Sequence, residues 1–210
     1  MKKIFVLAIF AIVSVTTFAQ ISWNVKGGVN LSTFGGEDIT GSKLKLNYQL
    51  GVGMDYALSK RWSLQPSLLF ITKGAKYDET LEKTSLNPQY LELPVMAAYK
   101  FHLTDNMKLA ISAGPYVAYA IGGKFKDDIY ASGTTTSVEK NIFGDMNNFT
   151  NRALTDNRLD YGIGAGVTVE MEHFMVGLNA SSGMKKILKD YSRFKDAKNV
   201  CYSLTVGYKF

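Results

Sequence analysis

The stretch VCYSLTVGYKF, residues 200–210, ends the chain in strict alternation. Val200, Tyr202, Leu204, Val206, Tyr208 and Phe210 fall on one side, and Cys201, Ser203, Thr205, Gly207 and Lys209 on the other. Successive side chains of a strand point to opposite faces, so this segment predicts a strand with one apolar and one polar face.

The same sorting recurs upstream. Near the other end, Ile21, Trp23, Val25, Gly27, Val29 and Leu31 alternate with Ser22, Asn24, Lys26, Gly28, Asn30 and Ser32. A second segment sets Leu44, Leu46, Tyr48, Leu50, Val52, Met54, Tyr56 and Leu58 against Lys45, Asn47, Gln49, Gly51, Gly53, Asp55 and Ala57. Further segments run Trp62–Lys73, where Leu69 and Ile71 blur the pattern, then Tyr90–Phe101, Met107–Gly123, Leu159–Met171 and Phe174–Gly183. With the last strand these predict eight. Pro66, Pro94 and Pro115 fall inside three of them, and because proline lacks an N–H for the ladder, bulges are expected there.

Connection lengths alternate. Short turns are predicted near Ser59-Lys60, His102 to Asn106 and Glu172-His173, and longer connections over about 33–43, 74–87, 124–158 and 184–199. An even strand number, termini on one side and strict short-long alternation describe an antiparallel up-and-down transmembrane β-barrel with short periplasmic turns and longer extracellular loops. A soluble lipocalin-like barrel would also alternate, with its apolar face lining a cavity. Aromatic residues near strand ends, among them Trp23, Trp62, Tyr99, Phe101, Phe174 and Tyr208, instead resemble interfacial girdles. The opposite face carries Gly, Ser, Asn and Gln, which suits a lumen better than a soluble exterior.

The N-terminus reads as a leader. Lys2 and Lys3 precede an apolar run from Ile4 to Val15, and Thr17-Phe18-Ala19 offers a small-x-small cleavage site. That apolar core is too short for a spanning helix, which needs roughly 17 to 25 residues. Residues 1–19 are therefore expected to be a signal peptide and 20–210 the barrel domain. Cys201 is the single cysteine, which excludes an intramolecular disulfide and a multi-cysteine metal site.

The formal charge is +6. Most of the excess outside the leader sits between Met184 and Lys198, where Lys185, Lys186, Lys189, Arg193, Lys195 and Lys198 face only Asp190 and Asp196. So local an excess points to a basic loop beside an anionic surface such as lipopolysaccharide phosphates, and no nucleic-acid-binding signature accompanies it.

An eight-stranded barrel is just wide enough for side chains to fill, so an open channel is not expected. The inward set includes Lys26, Asp55, Gln65, Glu92, Lys100, Tyr116, Asp160 and Glu170. Buried charges need partners, so a polar plug is expected in which a basic residue such as Lys26 holds Glu92. The glycines of GIGAGV, residues 162–167, read as lumen space. Catalysis finds little support: His102 and His173 fall in the short turns, and no cofactor-binding motif occurs. The longest connection, about 124–158, mixes several Asn with Phe125, Tyr130, Phe143 and Phe149, and is too polar to read as a lid.

VKGGVNLS (25–32), LSKRWSLQPSLLFITKGAK (58–76), YLELPVMAAYKF (90–101), AGPYVAY (113–119), LDYGIGAGV (159–167) and VGYKF (206–210) together resemble the PorT-like outer-membrane β-barrel family, the porin-family proteins of the OmpA/OmpX eight-stranded type. The resemblance spans essentially the whole chain after the leader. It implies a Gram-negative outer-membrane barrel assembled by the barrel-insertion machinery, with the C-terminal aromatic strand, here Tyr208 and Phe210, as the signal read by that machinery. It implies little about activity. The expected role is structural or loop-mediated interaction with outer-membrane lipids or an envelope partner; the alternative is a secretion accessory or a narrow transport pore.

Overall fold

The computed structural model describes residues 21–36, 42–78, 82–131, 134–143, 157–186 and 197–210. The expected leader lies outside them. The described strands are β1 Ile21–Gly35, β2 Ser42–Lys43, β3 Lys45–Ala57, β4 Trp62–Thr72, β5 Ala75–Asp78, β6 Glu82–Thr104, β7 Met107–Ala131, β8 Thr134–Asn141, β9 Leu159–Met171, β10 Phe174–Gly183 and β11 Lys198–Lys209.

Eight of these form a closed antiparallel ring in the order β1, β3, β4, β6, β7, β9, β10, β11 and back to β1. Closure satisfies every edge, which is what lets a sheet stand in lipid. In the closing seam Val25 pairs with Tyr208, Val29 with Leu204 and Thr33 with Val200. The first and last strands thus lock along their full length, and the Phe210 N–H donates to the Trp23 carbonyl at 2.9 Å.

Alternation assigns the faces. Leu46, Leu50, Val52, Leu178, Leu204 and Val206 stand on the outside and are exposed. An apolar band running round the molecule is far larger than a soluble monomer tolerates. Asn24, Asn30, Gln49, Asp55, Ser67, Glu92, Lys100 and Asp160 are buried inside. Leu69 and Ile71, which blur the pattern of β4, are also buried, so the inward face of that strand becomes apolar toward its far end.

The three short turns fall where the alternation puts them, after Ala57, Thr104 and Met171. The long connections differ from expectation. β6 and β7 run to 23 and 25 residues, and β5 and β8 pair with their outer ends, so much of 74–87 and 124–141 is a sheet that prolongs the barrel wall. Phe125 and Phe143, read as loop aromatics, are buried with Phe34, Leu86, Tyr90 and Ile142 in an apolar core at that end.

Bulges at the strand prolines do not occur. Pro66 pairs with Val95, Pro94 with Tyr116 and Pro115 with Ile163, and the register continues unshifted on both sides. Each N–H in a strand addresses one neighbour only, so its loss removes one bond without requiring an extra residue. The shifts found in β6 lie between Gln89 and Tyr90, where β7 has Ile121 in excess, and between His102 and Thr104, where β6 has Leu103 in excess.

Candidate functional site

Two charged clusters fill the lumen at different depths. The one nearer the loops is centred on Lys73, immediately after β4. Its ammonium lies 2.6 Å from a Glu92 oxygen on β6 and 3.6 Å from Asp160 on β9. The same nitrogen stands 4.3 Å from the centre of the Tyr116 ring and 5.5 Å from that of Tyr90. Aromatic faces carry negative potential, so both rings favour the buried cation. Asp160 also accepts from the Tyr116 hydroxyl at 3.2 Å and from the Asn199 amide at 2.9 Å.

Local sequence explains how Lys73 reaches this place. Its N–H donates to the Pro88 carbonyl at 3.0 Å. The next residue, Gly74, has φ +142°, and a Cβ there would stand 2.1 Å from the Leu86 carbonyl oxygen. Only glycine permits the chain to pass β6 so closely in that conformation. Across the lumen, Gly162 faces Tyr116 in the ladder, and a Cβ on it would meet the tyrosine ring at 2.8 Å. The missing side chain gives the ring its room.

The second cluster lies toward the turns. Lys100 on β6 is paired with Asp55 on β3 and lies 3.0 Å from Glu170 on β9. The Gln65 amide donates to Asp55 at 3.0 Å and to Glu170 at 3.4 Å. Lys209 on the final strand adds a second cation, 3.6 Å from Glu170 and 4.0 Å from Asp55. Between the clusters is a cavity of about 110 Å³, bordered by Lys26, Gln49, Ser67, Met96, Ser112 and Thr205 among others. The Lys26 ammonium donates to the Ser67 hydroxyl at 2.8 Å.

Each luminal carboxylate therefore meets a lysine, which is what a low-dielectric interior demands. Lys26, Lys73, Lys100 and Lys209 balance Asp55, Glu92, Asp160 and Glu170 in sign. Among the described residues, no group of three or more His, Cys, Asp or Glu is placed to hold a metal ion.

Residues 18–189 match the family described as outer membrane protein beta-barrel domain. The chain belongs to that family. Its fold is accordingly that of a bacterial outer membrane barrel, crossing lipid on strands. Ail, the attachment invasion locus protein of Yersinia pestis, is 17% identical over 90% of this chain and 98% of its own, with a TM-score of 0.42. OprG of Pseudomonas aeruginosa is 12% identical over 91% and 97%, with a TM-score of 0.44. The outer membrane enzyme PagL is 18% identical over 88% and 97%, with a TM-score of 0.49. Comparison with curated proteins gave no match.

In this outer membrane barrel Asp55, Gln65 and Lys100 come together in the turn-side cluster, Glu92 and Tyr116 in the loop-side cluster, and Lys26 stands between them. The expected partnership of Lys26 with Glu92 is replaced by that of Lys73 with Glu92. The reason is where each ammonium ends: that of Lys26 is taken up by Ser67 beside the central cavity, whereas that of Lys73 reaches the loop-side level shared by Glu92 and Asp160. Lys73 is absent from the inward set expected from the sequence. Its odd-number parity with Ser63, Gln65 and Ser67 is the signal the sequence carries for it.

Lys185 and Lys186 lie at the loop end, just beyond β10, and Lys189 and Arg193 fall outside the described residues. Tyr208 packs edge-on against Phe174 at 5.5 Å and against Phe210 at 5.2 Å, and stacks with His173 at 5.7 Å.

Proposed function

We propose that this outer membrane barrel is a closed structural or loop-presenting component of the envelope, of the PorT-like kind, and not an open general porin. The observation that carries the reading is the double occlusion of the lumen. Lys73 is fully buried against Glu92 and Asp160, and Lys100 is largely buried against Asp55 and Glu170. The apolar core with Phe125 and Phe143 lies at the loop end. Ions and water meet two levels of paired charge and one of hydrocarbon.

In this reading residues 1–19 are removed as a signal peptide and 20–210 make up the barrel domain. The short turns and both termini face the periplasm, following the usual placement of short turns in such barrels. Tyr208 and Phe210 serve as the insertion signal, a role supported by the 72% exposure of Phe210 at the strand end. Lys185, Lys186, Lys189 and Arg193 meet lipopolysaccharide phosphates at the opposite surface, and the loops contact an envelope or secretion partner. No catalytic step is assigned, because the luminal carboxylates are engaged by lysines and the two histidines belong to the turn end.

Proteoliposome swelling tests the reading. Vesicles carrying the barrel should stay as tight to arabinose as empty ones, and swelling at the rate of an open channel would reject it. The cavity beside Lys26 favours one second reading, a narrow pore interrupted above and below. That reading predicts brief small conductances without sugar uptake.

A further inference from the structure

At the turn end, beyond the Lys100 cluster, the barrel opens into a vestibule of about 730 Å³. Small-molecule sites fall in this range, roughly 300–1,000 Å³. Among the described residues its wall carries Lys60, Arg61, Lys100, Lys108 and Lys209 with one carboxylate, Asp55; Lys100 and Lys209 already face Asp55 and Glu170, so Lys60, Arg61 and Lys108 supply its excess of positive charge. Asp55 is already held by Lys100 at the floor. Arg61 donates to the neutral Tyr99 hydroxyl at 3.1 Å, which leaves its charge unopposed by that contact. The acidic residues of the neighbouring turns, Asp105 and Glu172, are exposed and do not line the space.

A second observation points the same way. Ser63 lines the vestibule, is 1% exposed, and its hydroxyl has no hydrogen-bond partner among the described residues. A buried hydroxyl without an acceptor is costly, and such groups are commonly completed by a ligand or water. Cations converging on a concave wall of low dielectric also raise the local concentration of anions.

We propose that this vestibule binds a compact multivalent oxyanion, a small molecule bearing two or more phosphoryl or carboxylate groups. Lys60, Arg61 and Lys108 take its charge at the wall, and Ser63 donates to an oxygen that reaches the floor. Multivalency follows from the layout, because Lys60 and Arg61 stand together in the turn before β4 while Lys108 stands at the start of β7, two separate places on the rim. The ligand's arrival from the periplasm rests on the orientation proposed above, whereas binding in micelles does not.

Trp62 lines the same space and supplies the readout. The other tryptophan is Trp23, so a Trp23→Phe chain folded into zwitterionic micelles reports from Trp62 alone. It is titrated with sodium tripolyphosphate and, separately, with citrate, at constant ionic strength. The expected result is a saturable change in emission with a dissociation constant of about 1 mM or tighter, weakened about tenfold by Lys60→Gln with Lys108→Gln. Lys185→Gln with Lys186→Gln, at the other end of the barrel, leaves it unchanged. Saturation by tripolyphosphate alone identifies phosphoryl chemistry, by citrate alone carboxylate chemistry, and by both a site that selects on charge. Absence of saturation with either anion, or equal affinity in the Lys60→Gln/Lys108→Gln chain, overturns the proposal. Both lysines lie outside the ion pairs described above, and retarded gel migration before heating checks that the variant is folded.

Discussion

The ammonium of Lys73, fully buried beyond the end of β4, lies 2.6 Å from the Glu92 carboxylate of β6 and shares its position with Asp160 at 3.6 Å. One cation thus serves two carboxylates. Lys73→Met leaves both without their shared lysine and should cost about 3–5 kcal/mol. Glu92→Gln should cost less, because Asp160 still holds the lysine. Urea unfolding of the barrel in lipid vesicles, followed by tryptophan emission, measures both; equal losses would show that Asp160 contributes nothing to the site.

Two glycines of one strand should respond differently to the same change. A Cβ at Gly162 would stand 2.1 Å from the Ser182 carbonyl oxygen and 2.8 Å from the Tyr116 ring, whereas at Gly164 the nearest atom is 3.4 Å away. Gly162→Ala should therefore destabilise by about 1–3 kcal/mol through overpacking. Gly164→Ala should stay within about 1 kcal/mol of the parent. Unfolding midpoints of the two variants provide the comparison.

Depth in lipid should govern the outer face. Leu204, midway along β11, pairs with Val29 and Leu178, while Leu58 sits just past the end of β3 beside a turn. Leu204→Lys should cost about 2–4 kcal/mol and Leu58→Lys about 0–1 kcal/mol. A reversed order would mean that the apolar band is misplaced along the barrel axis.

Cys201 tests the seal at the loop end. It faces the lumen and is 1% exposed, within the core that includes Phe34 and Phe143. A membrane-impermeant maleimide should leave it unmodified in folded vesicle-inserted chains and label it fully in urea. Rapid labelling of the folded barrel from outside would contradict a closed loop end.

Much of this fold could be read from alternation because lipid and lumen impose opposite demands on neighbouring residues. The β1, β3 and β11 faces and the three short turns follow from that rule alone. It fails where the demand disappears. Beyond the apolar band the outer face meets water instead of lipid while Leu86 and Phe125 pack inward, so KTSLNPQ of β6 and KFKDDIYA of β7 lack the apolar outer side that marks the other strands and read as loop. The candidate site was legible in part for a related reason: parity gives the face of Glu92, but its partner depends on strand neighbours and register. Lys73 wins over Lys26 because its ammonium reaches the level of Glu92 and Asp160, while that of Lys26 is held by Ser67. Pro66, Pro94 and Pro115 misled because a missing donor need not shift a ladder.

Paired charges close the lumen, and single-channel recording in a planar lipid bilayer reads that closure. Inserted barrel of the parent sequence should give no steady conductance at neutral pH in molar potassium chloride. A stable ohmic current of the size carried by a continuous water-filled channel would contradict the placement of Lys73 with Glu92 and of Lys100 with Asp55 and Glu170 as plugs.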